Sequence, residues 1–363
     1  MAGTAALGAG ARADGRAHAS GRALALWLHA LAALVAAMVV VGGATRLTES
    51  GLSITEWQPL LGAIPPLSEA DWQRAFDLYR QIPQYELMNK GMSLGEFKFI
   101  YWWEWSHRLL GRVIGIAFAL PLAFFWLTGR IGREVGYKLL GILALGALQG
   151  FIGWWMVASG LVGRTEVSQY RLAVHLVMAC LIFAALVWTA RSCRAAPSAA
   201  SPAALRRTAW FLFALTLLQI ALGALVAGLR AGLIYNTWPL MDGALVPSGL
   251  FAQHPWWVNF GENVATVQFS HRMAAYALVA AAAWAAWQAR TRARGSAAAR
   301  RAALILAAVL VQAGLGIATL LLQVPIAVAL LHQAGAVIVL ALIVVQLEAL
   351  TPRRPAGAAL PQR

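Results

Sequence analysis

Eight apolar segments, each about 20 residues long, recur along the chain near 24–44, 108–128, 139–159, 170–190, 208–229, 268–289, 302–322 and 326–347. A run of that length crosses a hydrocarbon core of about 30 Å as a helix. Lipid offers no partner to a free backbone N–H or C=O, so each segment must close its own hydrogen bonds. The expected fold is therefore all-α and integral to a membrane, with eight transmembrane helices. An apolar content of 60% against 12% charged residues excludes a soluble enzyme, and the number of segments excludes a single-anchor protein.

The formal charge of +15 (29 Lys+Arg, 14 Asp+Glu) is a topology signal. The bases lie in short clusters between apolar segments, not along one face, which argues against nucleic acid. Arg12, Arg16 and Arg22, then Arg130, Arg133 and Lys138, then Arg191, Arg194, Arg206 and Arg207, then Arg290 to Arg301, then Arg353 and Arg354 all fall on one side. By the positive-inside rule that side is cytoplasmic and holds both termini. Residues 45–107 form a long outer loop with acids from Glu49 to Glu104 and tryptophans at 57, 72, 102, 103 and 105, expected to be folded and amphipathic. Cys180 and Cys193 are too few for a disulfide framework or a zinc site, so any metal chemistry must use histidine.

An internal repeat divides the chain. EWSHRLLGR at 104–112 answers FSHRMAAY at 269–276, LQGFIG at 148–153 answers VQAGLG at 311–316, and LAVHLVMA at 172–179 answers ALLHQAGA at 329–336. Each half carries four helices, an even number, so the halves are parallel repeats about an axis along the membrane normal. The expected organisation is a disordered cytoplasmic tail (1–23), an N-terminal four-helix bundle (24–192), a cytoplasmic linker (193–207), a C-terminal four-helix bundle (208–348) and a second tail (349–363).

In each half two helices enter from the outer side with a histidine. His107 and His175 are expected to face each other in the first bundle, and His271 and His332 in the second, all at one depth. Paired neutral imidazoles in a bundle core suit the two faces of a heme iron, giving two sites near the outer, periplasmic side. A di-histidine proton relay is the alternative. Arg46, Arg108, Arg112, Arg230 and Arg272 lie where heme propionates would emerge; they pair with carboxylates or snorkel to lipid phosphates. Gln149 and Gln312, with glycine one or two residues on, serve close helix packing or a hydrogen bond. Glu104 stands three residues before His107, on the same helix face, where the second half has Gln268. It is a general base, a stabiliser of developing positive charge, or a helix-start acid. The asymmetry suggests reaction in the first half and a resident heme in the second.

Together with GGATRLTESGLSITEWQPLLGAIPP at 42–66, these residues resemble the heme A synthase family, in its mitochondrial and proteobacterial branch, over about 27–348. The resemblance implies an oxidoreductase acting on a CH group: the C8 methyl of heme O becomes the formyl group of heme A, for terminal oxidases. Water supplies the oxygen in two successive hydroxylations followed by dehydration. It also implies that Glu104 is the catalytic carboxylate, that His107 and His175 flank the substrate heme O, and that His271 and His332 ligate the iron of heme B. Some bacterial members carry a cysteine pair in outer loops; this chain has none there, which excludes a thiol role in heme delivery.

Two rival readings use the same features: a membrane diheme cytochrome b carrying electrons from quinol, and a heme transporter. The first would not need Glu104 or the long 42–66 loop; against the second, the repeats are parallel and the polar residues cluster near the outer face, leaving no obvious path to the cytoplasm. The expected setting is a bacterial plasma (inner) membrane, with lipid, heme O, a heme O synthase and an unidentified electron acceptor as partners. A homo-oligomer is left open.

Overall fold

The computed structural model describes residues 2–59, 61–193 and 202–352, with side chains from 21 onward. Eleven α-helices follow in order: α1 (Ala2–Leu47), α2 (Glu69–Tyr79), α3 (Pro83–Met88), α4 (Leu94–Leu127), α5 (Arg133–Ala158), α6 (Gln169–Ser192), α7 (Ala203–Gly228), α8 (Asn259–Glu262), α9 (Val264–Arg292), α10 (Ala297–Leu321) and α11 (Ile326–Leu350). Seven of them, α1 from Gly21 onward, α4, α5, α6, α7, α10 and α11, are long and apolar enough to cross a membrane. α9 has comparable length, but Gln268, His271, Arg272 and Gln288 make it more polar, so the eighth expected span falls short by composition. The protein is a multi-pass membrane protein. The linker and the second tail fall largely on residues outside those described, whereas residues 2–23, expected as a disordered tail, form the first part of α1.

Local sequence sets the helix ends. α4 starts at Leu94, fourteen residues before the apolar segment at 108, because Ser93 and Glu96 form a reciprocal capping box. The outer loop therefore ends near 93, and its last stretch belongs to the helix carrying Glu104 and His107. Ser68 and Asp71 cap α2 in the same way, and Asn263 and Ser296 accept backbone N–H groups at the starts of α9 and α10. α2, α3 and the first turns of α4 enclose an aromatic core in which Phe76 stacks on Phe97 at 4.9 Å and Trp72 meets Tyr101 edge-on at 5.0 Å. That core rests on Leu52 of the first loop and fixes the loop above α4.

The long helices pack as two rings. α1 packs on α4, α4 on α5, α5 on α6 and α6 on α1; α7 packs on α9, α9 on α10, α10 on α11 and α11 on α7. The rings join where α6 meets α7 and α11, and α1 meets α11. Apolar burial gives little net drive inside lipid, so close approach by small residues matters more. Gly43 shows this: a Cβ there would lie 1.8 Å from Gln333 Oε1, and Gln333 donates to the Val39 carbonyl at 2.8 Å, stitching α11 to α1.

Candidate functional site

In the ring order α1–α4–α5–α6, His107 on α4 and His175 on α6 occupy diagonal helices; in the ring α7–α9–α10–α11, so do His271 on α9 and His332 on α11. Each imidazole lies against a glycine of a neighbouring helix. A Cβ would come within 3.1 Å of His107 at Gly42, 3.0 Å of His175 at Gly153, 3.1 Å of His271 at Gly223 and 2.8 Å of His332 at Gly316. All four glycines sit five residues before the last residue of their helix (42 of 47, 153 of 158, 223 of 228, 316 of 321). At 1.5 Å per residue each of the four contacts lies about 7.5 Å from the end of its glycine's helix.

Three of the contacts carry a glutamine four residues before the glycine. Nε2 of Gln149, Gln219 and Gln312 donates to the backbone carbonyl of His175, His271 and His332 at 3.0, 3.1 and 2.7 Å. The same nitrogen lies 3.1, 3.2 and 3.1 Å from Nδ1 of the respective ring. Gln149 and Gln312 therefore hydrogen-bond as well as pack. Gln219 was not legible from the half-to-half string comparison, which paired α5 with α10. The signal that finds it is Gln-x-x-x-Gly, present at 149–153, 219–223 and 312–316.

Glu104 is 2% exposed. Its Oε2 accepts from Ser53 Oγ and the Ile54 N–H, both at 2.8 Å, and its Oε1 from Arg108 Nε and Nη2 at 3.1 and 2.6 Å. Arg108 donates onward to the Ile54 and Glu56 carbonyls, so helix and loop are locked by one ion pair. Gln268 holds the matching place in the second half: its Oε1 accepts from Arg272 at 3.1 Å and its amide donates to the Ala231 carbonyl at 2.7 Å and to that of Ile234. Arg272 in turn donates to the Tyr235 and Thr237 carbonyls. The first loop presents donors to its clamp and the second presents acceptors.

The other arginines are also engaged within the protein. Arg112 donates to the Pro59 and Gln58 carbonyls at 2.8 and 2.9 Å. Arg46 pairs with Glu166 at 2.5 Å, and Arg230 pairs with Glu49 at 2.5 Å and also with Glu166. This four-residue network bridges the two halves, since Arg46 also reaches the Ala227 carbonyl at 3.1 Å. Glu49 thus has a structural partner, whereas among the described residues the Glu56 carboxylate accepts from nearby Gln58. Glu166, which joins two guanidiniums, carries no motif that would single it out. Arg46 Nε, Arg112 Nη1 and Arg272 Nε are buried without an acceptor among the described residues.

The donor set fits a heme iron. Among the described residues no group of three or more His, Cys, Asp or Glu gathers as ligands for a bare ion. The imidazoles come two to a ring of helices, as an iron needs when a porphyrin fills its equatorial positions. Glycine opposite each imidazole lets the ring lie close against the neighbouring helix.

Comparison with known proteins gives the family. The sequence model for COX15-CtaA, described as cytochrome oxidase assembly protein, matches residues 25–344. The chain is 57% identical over 342 residues to a heme A synthase of Bradyrhizobium sp. (strain ORS 278), covering 94% of each chain. It is 58% identical over 320 residues to one of Agrobacterium fabrum, covering 88% of each. With that of Rhodopseudomonas palustris it shares 60% over 340 residues, 93% of this chain and 94% of the relative. Matched along nearly its whole length, through both rings and the first outer loop, the chain belongs to the COX15-CtaA family of cytochrome oxidase assembly proteins.

Proposed function

We propose that the protein is a heme A synthase, oxidising the C8 methyl group of heme O to the formyl group of heme A. The observation that carries the reading is the fourfold imidazole–glycine contact in two helix rings, in a chain whose relatives bear that name. The overall change is a methyl group plus one water to an aldehyde, with release of four electrons and four protons. The first ring is the substrate site, with His107 and His175 flanking heme O. The second ring holds heme B between His271 and His332, where it supplies one-electron transfer towards an acceptor outside the chain.

Glu104 is the catalytic carboxylate. Four donors hold both oxygens in place, which suits a fixed stabiliser of charge better than a mobile base. It keeps negative charge one turn above His107 while positive charge develops at the methyl carbon and water attacks there. Arg46 Nε, Arg112 Nη1 and Arg272 Nε are the donors assigned to propionates; Arg108 and Arg230 chiefly hold loops and carboxylates.

Eight spans, with α9 as the eighth, make two parallel four-helix repeats in a bacterial plasma membrane, with both termini cytoplasmic and the sites towards the periplasm. Heme O passes from its synthase without release to water. The test is purification from cells coexpressing heme O synthase, followed by extraction and mass-detected chromatography of the hemes. Heme A beside heme B is the expected result; two heme B per chain would reject the synthase reading in favour of an electron carrier.

A further inference from the structure

The fourfold arrangement has one exception, and it falls at His107. The position four residues before Gly42, where the other three contacts have glutamine, is Met38. A thioether donates no hydrogen bond, so the His107 carbonyl and ring lack the amide that holds His175, His271 and His332. The end of the Met38 side chain lies instead beside Gly111, one turn further along α4, where a Cβ would come 3.3 Å from Met38 Cε, a dispersion contact only. The His107 ring lies against its glycine at much the same distance as the others do, so what sets His107 apart is the missing amide and not its place in the ring of helices.

We infer that Met38 is a positioning residue that makes His107 the exchangeable axial ligand. The inference rests on the proposed heme sites and says how one chain treats two hemes differently. A resident heme should keep both iron–imidazole bonds, and both histidines of the second ring are tethered by glutamine. A substrate heme must enter and its product leave in every cycle, so at least one axial bond has to open. The first ring has one tethered imidazole, His175, to retain the heme and one untethered, His107, to release it.

The test is Met38→Gln in the full-length holoprotein, with Met38→Leu as a control that keeps the size without a donor. Two readouts are used: carbon monoxide binding to the reduced protein, which needs a departed axial ligand, and the rate at which bound heme O and heme A pass to an apo-globin scavenger. In the parent protein the carbon-monoxide-reactive heme is expected to be the first-ring heme. Met38→Gln should slow both processes about tenfold, the factor that about 1.4 kcal/mol represents, with heme B content unchanged and Met38→Leu close to the parent. Gln312→Met should confer carbon monoxide reactivity on heme B, which keeps the inference testable if Met38→Gln does not fold. Parent rates in Met38→Gln, with heme O or heme A still bound, would overturn the inference and leave the function standing; so would an inert heme B in Gln312→Met. Absence of both heme O and heme A from every extract would instead overturn the function on which it rests.

Discussion

Replacing Glu104 by glutamine removes one charge and turns half of an acceptor into a donor, and its effect follows donor by donor. Four N–H or O–H groups converge on the carboxylate, two on each oxygen. If the new Oε1 stays with Arg108, the new Nε2 faces Ser53 Oγ and the Ile54 N–H. The serine hydroxyl turns and accepts, but the backbone N–H is fixed and loses its partner. A buried unsatisfied donor costs about 1–3 kcal/mol. Loss of the ion pair to Arg108, at a site where the carboxylate side chain is 3% and the guanidinium 16% exposed, brings the total to about 3–5 kcal/mol before relaxation. The assay is thermal unfolding in detergent together with limited proteolysis of residues 48–66. Glu104→Gln should lower the apparent Tm by about 5 °C, expose the loop to protease and abolish heme A formation while heme B is retained. The reciprocal Gln268→Glu places a carboxylate against the Ala231 and Ile234 carbonyls and should destabilise by a similar amount. An unchanged Tm with a protected loop in Glu104→Gln would refute the clamp, and undiminished heme A would refute the catalytic role.

Further outcomes are expected elsewhere. Gly316→Ala brings a methyl group to 2.8 Å from His332 Cε1; heme B content should fall, or its low-spin absorbance shift towards high spin, read by optical spectroscopy of the purified protein. Glu166→Ala strips Arg46 and Arg230 of a shared partner; a loss of about 2 kcal/mol is expected after discounting for partial exposure, with part regained in Glu166→Ala/Arg46→Ala, measured as a double-mutant cycle of thermal stability. The hydrogen bonds from Ser68 hold Asp71 below its ordinary value of 3.8. A depressed carboxylate stabilises the folded state above its unfolded value and loses that contribution as pH falls through the folded value. Proteolysis at α2 should therefore rise below about pH 4, and Asp71→Asn should remove that dependence.

The sequence made the elements legible where one physical demand dominated. Lipid leaves a 20-residue apolar run few alternatives to a helix, so seven spans follow from hydropathy alone; α9 escapes that rule because its site residues dilute the apolar signal. The start of α4 at Leu94 was misplaced for the opposite reason: a capping box extended the helix through aromatic residues that composition assigns to a loop. The four histidines were legible as a repeat, yet their glycines were not. A glycine's purpose depends on what lies across the helix interface, and no string comparison within one helix reveals it. Glu166 is illegible on the same grounds, since its partners are 120 residues before it and 64 after.

Every departure from fourfold regularity gathers at His107. Met38 replaces glutamine, and the clamp one turn above is a carboxylate where the second half has an amide. The last difference has a structural origin that needs no chemistry: the loop at 53–54 offers donors to its clamp, whereas the loop at 231–234 offers carbonyls. Structure alone thus accounts for Glu104 being an acceptor on Oε2, but a glutamine oxygen also accepts, and the second half shows that an amide suffices to hold the arginine. What glutamine lacks is negative charge held in a buried place with all its donors fixed in advance. A resident electron carrier has no use for that charge, whereas a site where electrons are withdrawn from a bound substrate does. With the hemes placed as proposed, both departures point the same way: a second ring that keeps its ligands, and a first that lets one imidazole go beneath a fixed negative charge.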